Sequence, residues 1–260
     1  MQNGRDCRMM NADCRIKRCD AQTGLCSLFT LHSSFITLHF FPAPVSCRLM
    51  QSQKEFIVDG VGLQQELLAK PVIWAEIYGN DHPVELEIGM GKATFLTEQA
   101  KARPDVNFFG IEWASWFWRS GSDRLRRNGC TNARTIRAEA LFFLREHVPD
   151  DSLTVLHVYF PDPWPKARHH KRRLIQAPFM EQALRALIPG GRLQVVTDHK
   201  GYFEENIEPA FKASKLMTVD YNRPGSAGEG EFVGTNFERK YRREGRPFYA
   251  LAAVKQPERP

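Results

Sequence analysis

Between residues 84 and 197, short apolar runs alternate with helically spaced segments, and this alternation leaves few folds open. The runs at 84–88, 106–111, 133–137, 153–160 and 192–197 are short and rich in β-branched or aromatic residues. The segments at 94–102, 114–128, 141–147 and 177–187 read as helices, and another follows at 202–212. Gly129 stops the second of these, Pro178 suits the first turn of the fourth, and Pro189-Gly190-Gly191 stops it. The pattern predicts one open, mostly parallel sheet with helices on both faces. Two later strands, 216–221 and 248–254, flank a glycine-rich loop at 224–234 and are expected as an antiparallel pair at one side. Residues 54–83 read as an amphipathic lead-in, with Leu63, Leu67 and Leu68 helically spaced and Trp74 and Tyr78 carried toward a polar turn at Gly79-Asn80-Asp81.

In such sheets ligands bind beyond the carboxyl ends of the strands, so the residue after each strand matters most. The stretch 159–173 reads YFPDPWPKARHHKRR. Pro161, Pro163 and Pro165 can neither continue a ladder nor enter a helix, so Asp162 and Trp164 are held on a stiff, exposed turn. Lys166, Arg168, Lys171, Arg172 and Arg173 follow, with His169 and His170 among them and no acid. Such a cluster is an anion site, and a nucleic-acid backbone is the anion it suits.

The other strand ends carry carboxylates. Glu87 precedes the turn Gly89-Met90-Gly91, where glycine lets a ligand approach the backbone. Glu112 follows the second strand, at the place where an acid suits a ribose diol. Lys92 and Ala93 replace the later glycines of a dinucleotide fingerprint, which favours a ribose ligand without pyrophosphate. Glu139 follows the third strand and Asp162 the fourth. Acids at four successive strand ends suit a cationic, amine-bearing nucleoside, although Glu139 alone could be an acid facing a helix N-terminus. Asp198 ends the fifth strand as a further edge acid or a helix cap. Thr235, Asn236, Phe237 and Glu238 offer hydroxyl, amide, ring and acid together, backed by Arg239, Lys240, Arg242, Arg243 and Arg246. Arg124, Arg126 and Arg127 add cations. Trp113, Trp116 and Trp118 read as core or lid before they read as a base-stacking platform.

The chain of 260 residues carries a net charge of +6, half of it in residues 1–49. The body is thus only mildly basic, and its cations act through clustering. Five of six cysteines also lie in 1–49, and Cys130 alone lies in the body, which excludes a disulfide framework there and fits a reducing compartment. The spacing of Cys7, Cys14, Cys19 and Cys26 lacks the paired knuckles of a zinc site, so no metal is expected. Residues 25–46 carry no charge and sketch an export signal, but His32, His39, Pro42 and Pro44 interrupt it. Residues 1–49 are expected to be a disordered extension, or to reflect an upstream start, with Met50 a sensible first residue.

The segments LEIGMG at 86–91, GIE at 110–112, FPDPWPKARHHKRRL at 160–174, TD at 197–198 and TNFERK at 235–240 resemble bacterial tRNA (guanine-N7-)-methyltransferases of the TrmB type. The resemblance covers about 54–255, and the Pro-Asp-Pro-Trp-Pro-Lys segment is its most specific part. It implies a class I S-adenosylmethionine-dependent methyltransferase fold, Rossmann-like α/β, as a single domain over 50–260. It also implies S-adenosylmethionine as donor, tRNA as partner, methylation of the variable-loop guanine at position 46, and a cytoplasmic place away from membranes. Monomer and homodimer both stay open. By motif match, Glu87, Gly89, Gly91, Glu112, Glu139 and Asp162 are expected at the donor, with Asp162 also catalytic. Lys166, Asp198, Thr235, Asn236, Phe237 and Glu238 are expected at the substrate, and Arg168, Lys171, Arg172 and Arg173 on tRNA phosphates. Ala93 departs from a frequent glycine of the family, and Glu139 from a frequent aspartate. Two other readings stay open: a catalytically silent RNA-binding module on the same fold, and a methyltransferase for a protein or small molecule.

Overall fold

The computed structural model describes residues 17–19, 25–32, 35–42, 55–225 and 227–257. It divides into two units, 1–55 and 56–260. In the first, β1 (Lys17–Cys19), β2 (Leu25–His32) and β3 (Phe35–Pro42) form an antiparallel sheet in that order. These three segments fall within the stretch expected to be a disordered extension. The uncharged stretch from Leu25 is rich in aromatic and β-branched residues, which favour strands. The rest of 1–49, and Met50, lie outside the described residues.

The second unit carries an eight-stranded sheet. Its elements run β4 (Gly62–Leu63), α1 (Trp74–Tyr78), β5 (Val84–Ile88), α2 (Thr94–Ala102), β6 (Asn107–Ile111), α3 (Ser115–Arg127), β7 (Ala133–Ile136), α4 (Ala140–His147) and β8 (Leu153–Tyr159). Then come a 3-10 helix (Ala167–Arg172), α5 (Ala177–Ala186), β9 (Leu187–Thr197), α6 (Lys200–Tyr202), a π-helical turn (Phe203–Ile207), α7 (Glu208–Ala213), β10 (Met217–Val219), α8 (Asn236–Arg243) and β11 (Tyr249–Val254). The strand order is β10-β11-β9-β8-β5-β6-β7-β4. All pairs from β9 to β4 are parallel, while β11 pairs antiparallel with β9 and with β10. The alternation read from the sequence is thus a mostly parallel sheet, with the expected antiparallel pair at one side.

Every residue of β5 and β6 is buried, in β5 including the alternating acids Glu85 and Glu87. Leu86, Ile88, Phe109, Phe143, Leu156 and Phe179 belong to one apolar layer. Met90, Phe95, Leu96, Phe108, Leu125 and Tyr159 belong to the other. Chain order reverses at β5, which lies between β8 and β6, and this is where a doubly covered sheet opens a crevice.

Two expectations are corrected, and one helix is added. Residues 63–68 form no helix: β4 is followed by a single 3-10 turn at Gln65–Leu67, and Leu67 is 78% exposed. The fifth strand begins at Leu187 rather than 192, running through the Pro-Gly-Gly stop. Its register against β8 slips between Leu153 and Val155, with Gly190 at φ 82° absorbing the bulge. The charged segment after 235 is a helix, α8, capped by the Thr235 hydroxyl, which accepts from the Glu238 N–H at 3.1 Å. Thr-x-x-Glu is a capping-box spacing, so that start was readable in the sequence.

Candidate active site

The carboxyl ends of β5 and β8 lie side by side, and a pocket opens there. Glu87, Gly89, Met90, Gly91, Tyr159 and Phe160 line it from the sheet, and Thr235, Asn236 and Phe237 from the opposite wall. Gly89 and Gly91 sit at φ 74° and 52°, a region glycine enters freely. Their turn is tied to the next strand, because the Gly89 and Met90 N–H groups donate to the Ile111 carbonyl at 2.9 and 3.2 Å. Ala93, one residue before α2, takes φ 51° as well, which explains why glycine is easy at that place. Gly121 of α3 makes close packing possible from behind: a Cβ there would lie 2.9 Å from the Gly91 carbonyl oxygen.

Glu85 and Glu87 share a face of β5 but have opposite surroundings. Glu85 is paired on both oxygens, accepting from Arg103 at 2.7 and 2.8 Å and lying 2.9 Å from His157 Nε2. Burial pushes its carboxyl up, but His157 and Arg103 outweigh that and bring it to about 2. Glu87 is 3% exposed, and its Oε2 has no hydrogen-bond partner. Burial, reinforced by the charge of Glu112, raises it to about 8. A buried carboxylate without a partner, at the rim of a pocket, is matched by a ligand cation.

Glu112 is half-buried and already engaged. Its Oε2 accepts from the Gly91 N–H at 3.1 Å and its Oε1 from the Ala114 N–H at 2.8 Å. Burial raises its carboxyl, against the pull of those two N–H groups. Asp162 is exposed and close enough for its charge to act on Glu112. Glu87, Glu112 and Asp162 are therefore brought together. Like Glu112 and Asp162, Glu139 is not among the residues lining the pocket. It is exposed and caps α4, its two oxygens accepting from the Leu141 and Phe142 N–H groups at 3.0 and 2.7 Å. This is the helix-terminal role left open by the sequence.

The substrate-side residues divide similarly. Thr235, Asn236 and Phe237 line the pocket, with Phe237 44% exposed. Glu238 does not reach it. It is fully buried, its oxygens accepting from the N–H groups of Phe232, Val233 and Gly234, with Arg242 3.5 Å away. Its carboxylate ties down the loop before α8. Asp198 accepts from Arg246 at 2.8 Å and does not cap the following helix; His199 does so through Nδ1. Lys166, Arg168, Lys171 and Arg172 are exposed, as phosphate contacts must be. Arg173 differs from the rest of that run: its side chain is 1% exposed, and it donates to the Pro163 carbonyl and to Glu205. Trp118 packs on the core, whereas Trp113 and Trp116 are exposed, with Arg137 and Lys92 over their rings at 5.9 and 5.3 Å. Arg126 and Arg127 pair with Asp123 of their own helix.

The sheet order, the glycine turn at the switch point and the acids beside it define a class I S-adenosylmethionine-dependent methyltransferase fold. Two solved structures align over most of their length: an aminoglycoside resistance methyltransferase (TM-score 0.50, 18% identity, 72% of this chain and 98% of that one) and the 16S rRNA methyltransferase KamB (0.50, 14%, 71% and 93%). Residues 81–251 match the family described as "Putative methyltransferase". Proteins named tRNA (guanine-N(7)-)-methyltransferase are similar in sequence. That of Vibrio parahaemolyticus is 39% identical over 67% of this chain and 69% of its own. That of Haemophilus influenzae strain PittEE is 34% identical over 80% and 85%, and that of Geobacillus kaustophilus 34% over 72% and 85%. The chain belongs to the bacterial tRNA (guanine-N7-)-methyltransferase family, the TrmB type.

Proposed function

We propose that this protein transfers a methyl group from S-adenosylmethionine to N7 of the variable-loop guanine, position 46, of tRNA in the cytoplasm, and that 50–260 is its single catalytic domain. The observation that carries the reading is the buried Glu87 carboxylate, whose Oε2 has no partner, in a pocket at the carboxyl ends of β5 and β8. The names of the similar proteins support the same reaction.

S-adenosylmethionine supplies an electrophilic methyl on a sulfonium, together with an amine and a ribose diol. Glu87 would hold the cationic amine. Glu112 would accept from the diol with the lone pairs that Gly91 and Ala114 leave free. Gly89 and Gly91 let the chain lie close to the donor. Guanine N7 has an in-plane lone pair and no proton, so attack on a methyl needs no general base. The chain's task is then alignment, which can be worth about 7–11 kcal/mol when the reacting atoms are held in line. Asp162 would accept hydrogen bonds from the guanine edge and offset the positive charge that develops on the purine. Thr235, Asn236 and Phe237 would wall the base and exclude water. Asp198 would reach the substrate by exchanging its Arg246 partner. Lys166, Arg168, Lys171 and Arg172 would grip phosphates, which position without specifying.

The test is incubation of the purified protein with bulk tRNA and S-adenosylmethionine labelled in the methyl group. Label in 7-methylguanosine after nuclease digestion is expected. Label in another nucleoside, or none, would refute the proposal.

A further inference from the structure

We infer that Arg173 is a positioning residue for the loop that carries Asp162, and that the π-helical turn at Phe203–Ile207 is its anchor. The inference rests on the role given above to Asp162. Arg172 and Arg173 are neighbours in one basic run, yet they are sorted to opposite sides. The Arg172 guanidinium stays at the surface, 5.0 Å from the centre of the Trp164 ring. Arg173 turns inward and lies 5.1 Å from the Tyr202 ring. Its Nε donates to the Pro163 carbonyl at 2.8 Å, its Nη1 to Glu205 Oε2 at 2.8 Å and to Asn206 Oδ1, and its Nη2 to His170 Nε2 at 2.9 Å. A guanidinium does not lose its proton, so a buried one persists only where its donors are paired. Each nitrogen of this one has a partner, and the side chain is 1% exposed.

The loop needs such a hold. Phe160 and Trp164 sit at φ 53° and 44°, left-handed conformations that are costly for bulky residues and last only where surrounding contacts enforce them. Pro161, Pro163 and Pro165 have no N–H with which to tie the loop down. Phe160 is pinned through its N–H to the Val196 carbonyl at 2.7 Å. Beyond it, among the described residues, the hydrogen bond that ties 161–165 to the fold is the one from Arg173 to Pro163, next to Asp162. The other end of the clamp also has a built feature. Glu205 and Asn206 are consecutive, and on a regular α-helix consecutive side chains diverge. Both reach the same guanidinium from within the π-helical turn, a distortion that recurs at functional sites.

The test uses the full chain and the variants Arg173→Lys, Arg173→Ala and Asn206→Ala. Hydrogen exchange of the peptide spanning 160–168 should accelerate in all three, independently of any activity. In methyl transfer to bulk tRNA, Arg173→Lys should lower kcat by up to about 100-fold while KM for tRNA and the salt dependence of binding stay those of the wild type. Asn206→Ala should shift kcat in the same direction. Guanidinium ion at low concentration should restore part of the kcat of Arg173→Ala and none of that of Asp162→Ala. If Arg173→Ala does not fold, the other two variants decide. Unchanged exchange in 160–168, or weakened tRNA binding with unchanged kcat, would overturn the inference. A wild-type protein inert on tRNA would sink the proposed function instead, and the exchange experiment would still judge the clamp.

Discussion

Replacing Glu87 by glutamine should make the protein more stable and worse at its task. The carboxyl stands at about 8 in the fold against an ordinary value of 4.5. A carboxyl raised in this way favours the fold in its protonated form. Its contribution is complete below about 4.5 and is lost as pH climbs through about 8. At about 1.4 kcal/mol for each pH unit between those values, the loss is on the order of 3 kcal/mol by pH 7 and about 5 kcal/mol above pH 8. Glutamine keeps the shape and removes the charge, but brings a buried donor that costs about 1–3 kcal/mol if unpaired. The net gain at pH 9 is therefore about 2–4 kcal/mol, or roughly 5–10 °C in Tm for a domain of this size. Near pH 4 the loss of charge gives no advantage. A ligand cation cancels the same cost in the wild type, so Glu87→Gln should weaken S-adenosylmethionine by about 1.5–3 kcal/mol. Thermal melts from pH 4 to 9, with and without S-adenosylmethionine, and calorimetric titration of the donor measure both effects. Parallel melting curves for the two proteins across that range, or an unchanged donor affinity, would refute the reasoning.

Asp162→Ala should cut turnover at saturating tRNA, whereas Arg172→Ala should mainly raise KM for tRNA and flatten the log–log salt dependence by about 0.7–0.9; steady-state kinetics and binding at several salt concentrations separate the two. Gly121→Ala places a methyl against the Gly91 carbonyl and should destabilise the fold by about 1–3 kcal/mol while weakening the donor, both read by melting with and without S-adenosylmethionine. Glu85→Gln breaks the buried contact to His157 and the half-exposed one to Arg103 and should cost about 2–3 kcal/mol at pH 7. Since the Glu85 carboxyl is held at about 2, its stabilisation is present above about 4.5 and fades as pH falls through about 2, so urea melts of the two proteins should converge in acid.

The central strands were legible because each is short and closed by glycine or an acid, as at Gly89 after β5 and Glu112 after β6, and that marks the strand ends where the pocket lies. Edges were less so. A two-residue strand such as β4 has no period to detect, and the leucines at 63, 67 and 68 keep helical spacing without a helix because Leu67 faces solvent. Side-chain direction was the deeper limit. Glu87 and Glu139 both follow the pattern of an acid near a strand end, but one is buried without a partner and the other caps a helix. Glu238 reads as a substrate acid until three backbone N–H groups are found converging on it. Nothing in KRR tells which arginine turns inward, since that depends on Glu205 and Asn206, more than thirty residues on.

The most direct measurement of the reaction assigned to this pocket is the position of the methyl group. An unmodified tRNA bearing guanine 46 is treated with the protein and S-adenosylmethionine, then reduced with borohydride and cleaved with aniline, which breaks the chain at 7-methylguanosine. Cleavage at guanine 46 is expected, present with the wild type and strongly reduced with Asp162→Ala. Cleavage at another guanine, or an intact chain after methyl incorporation, would contradict the assignment.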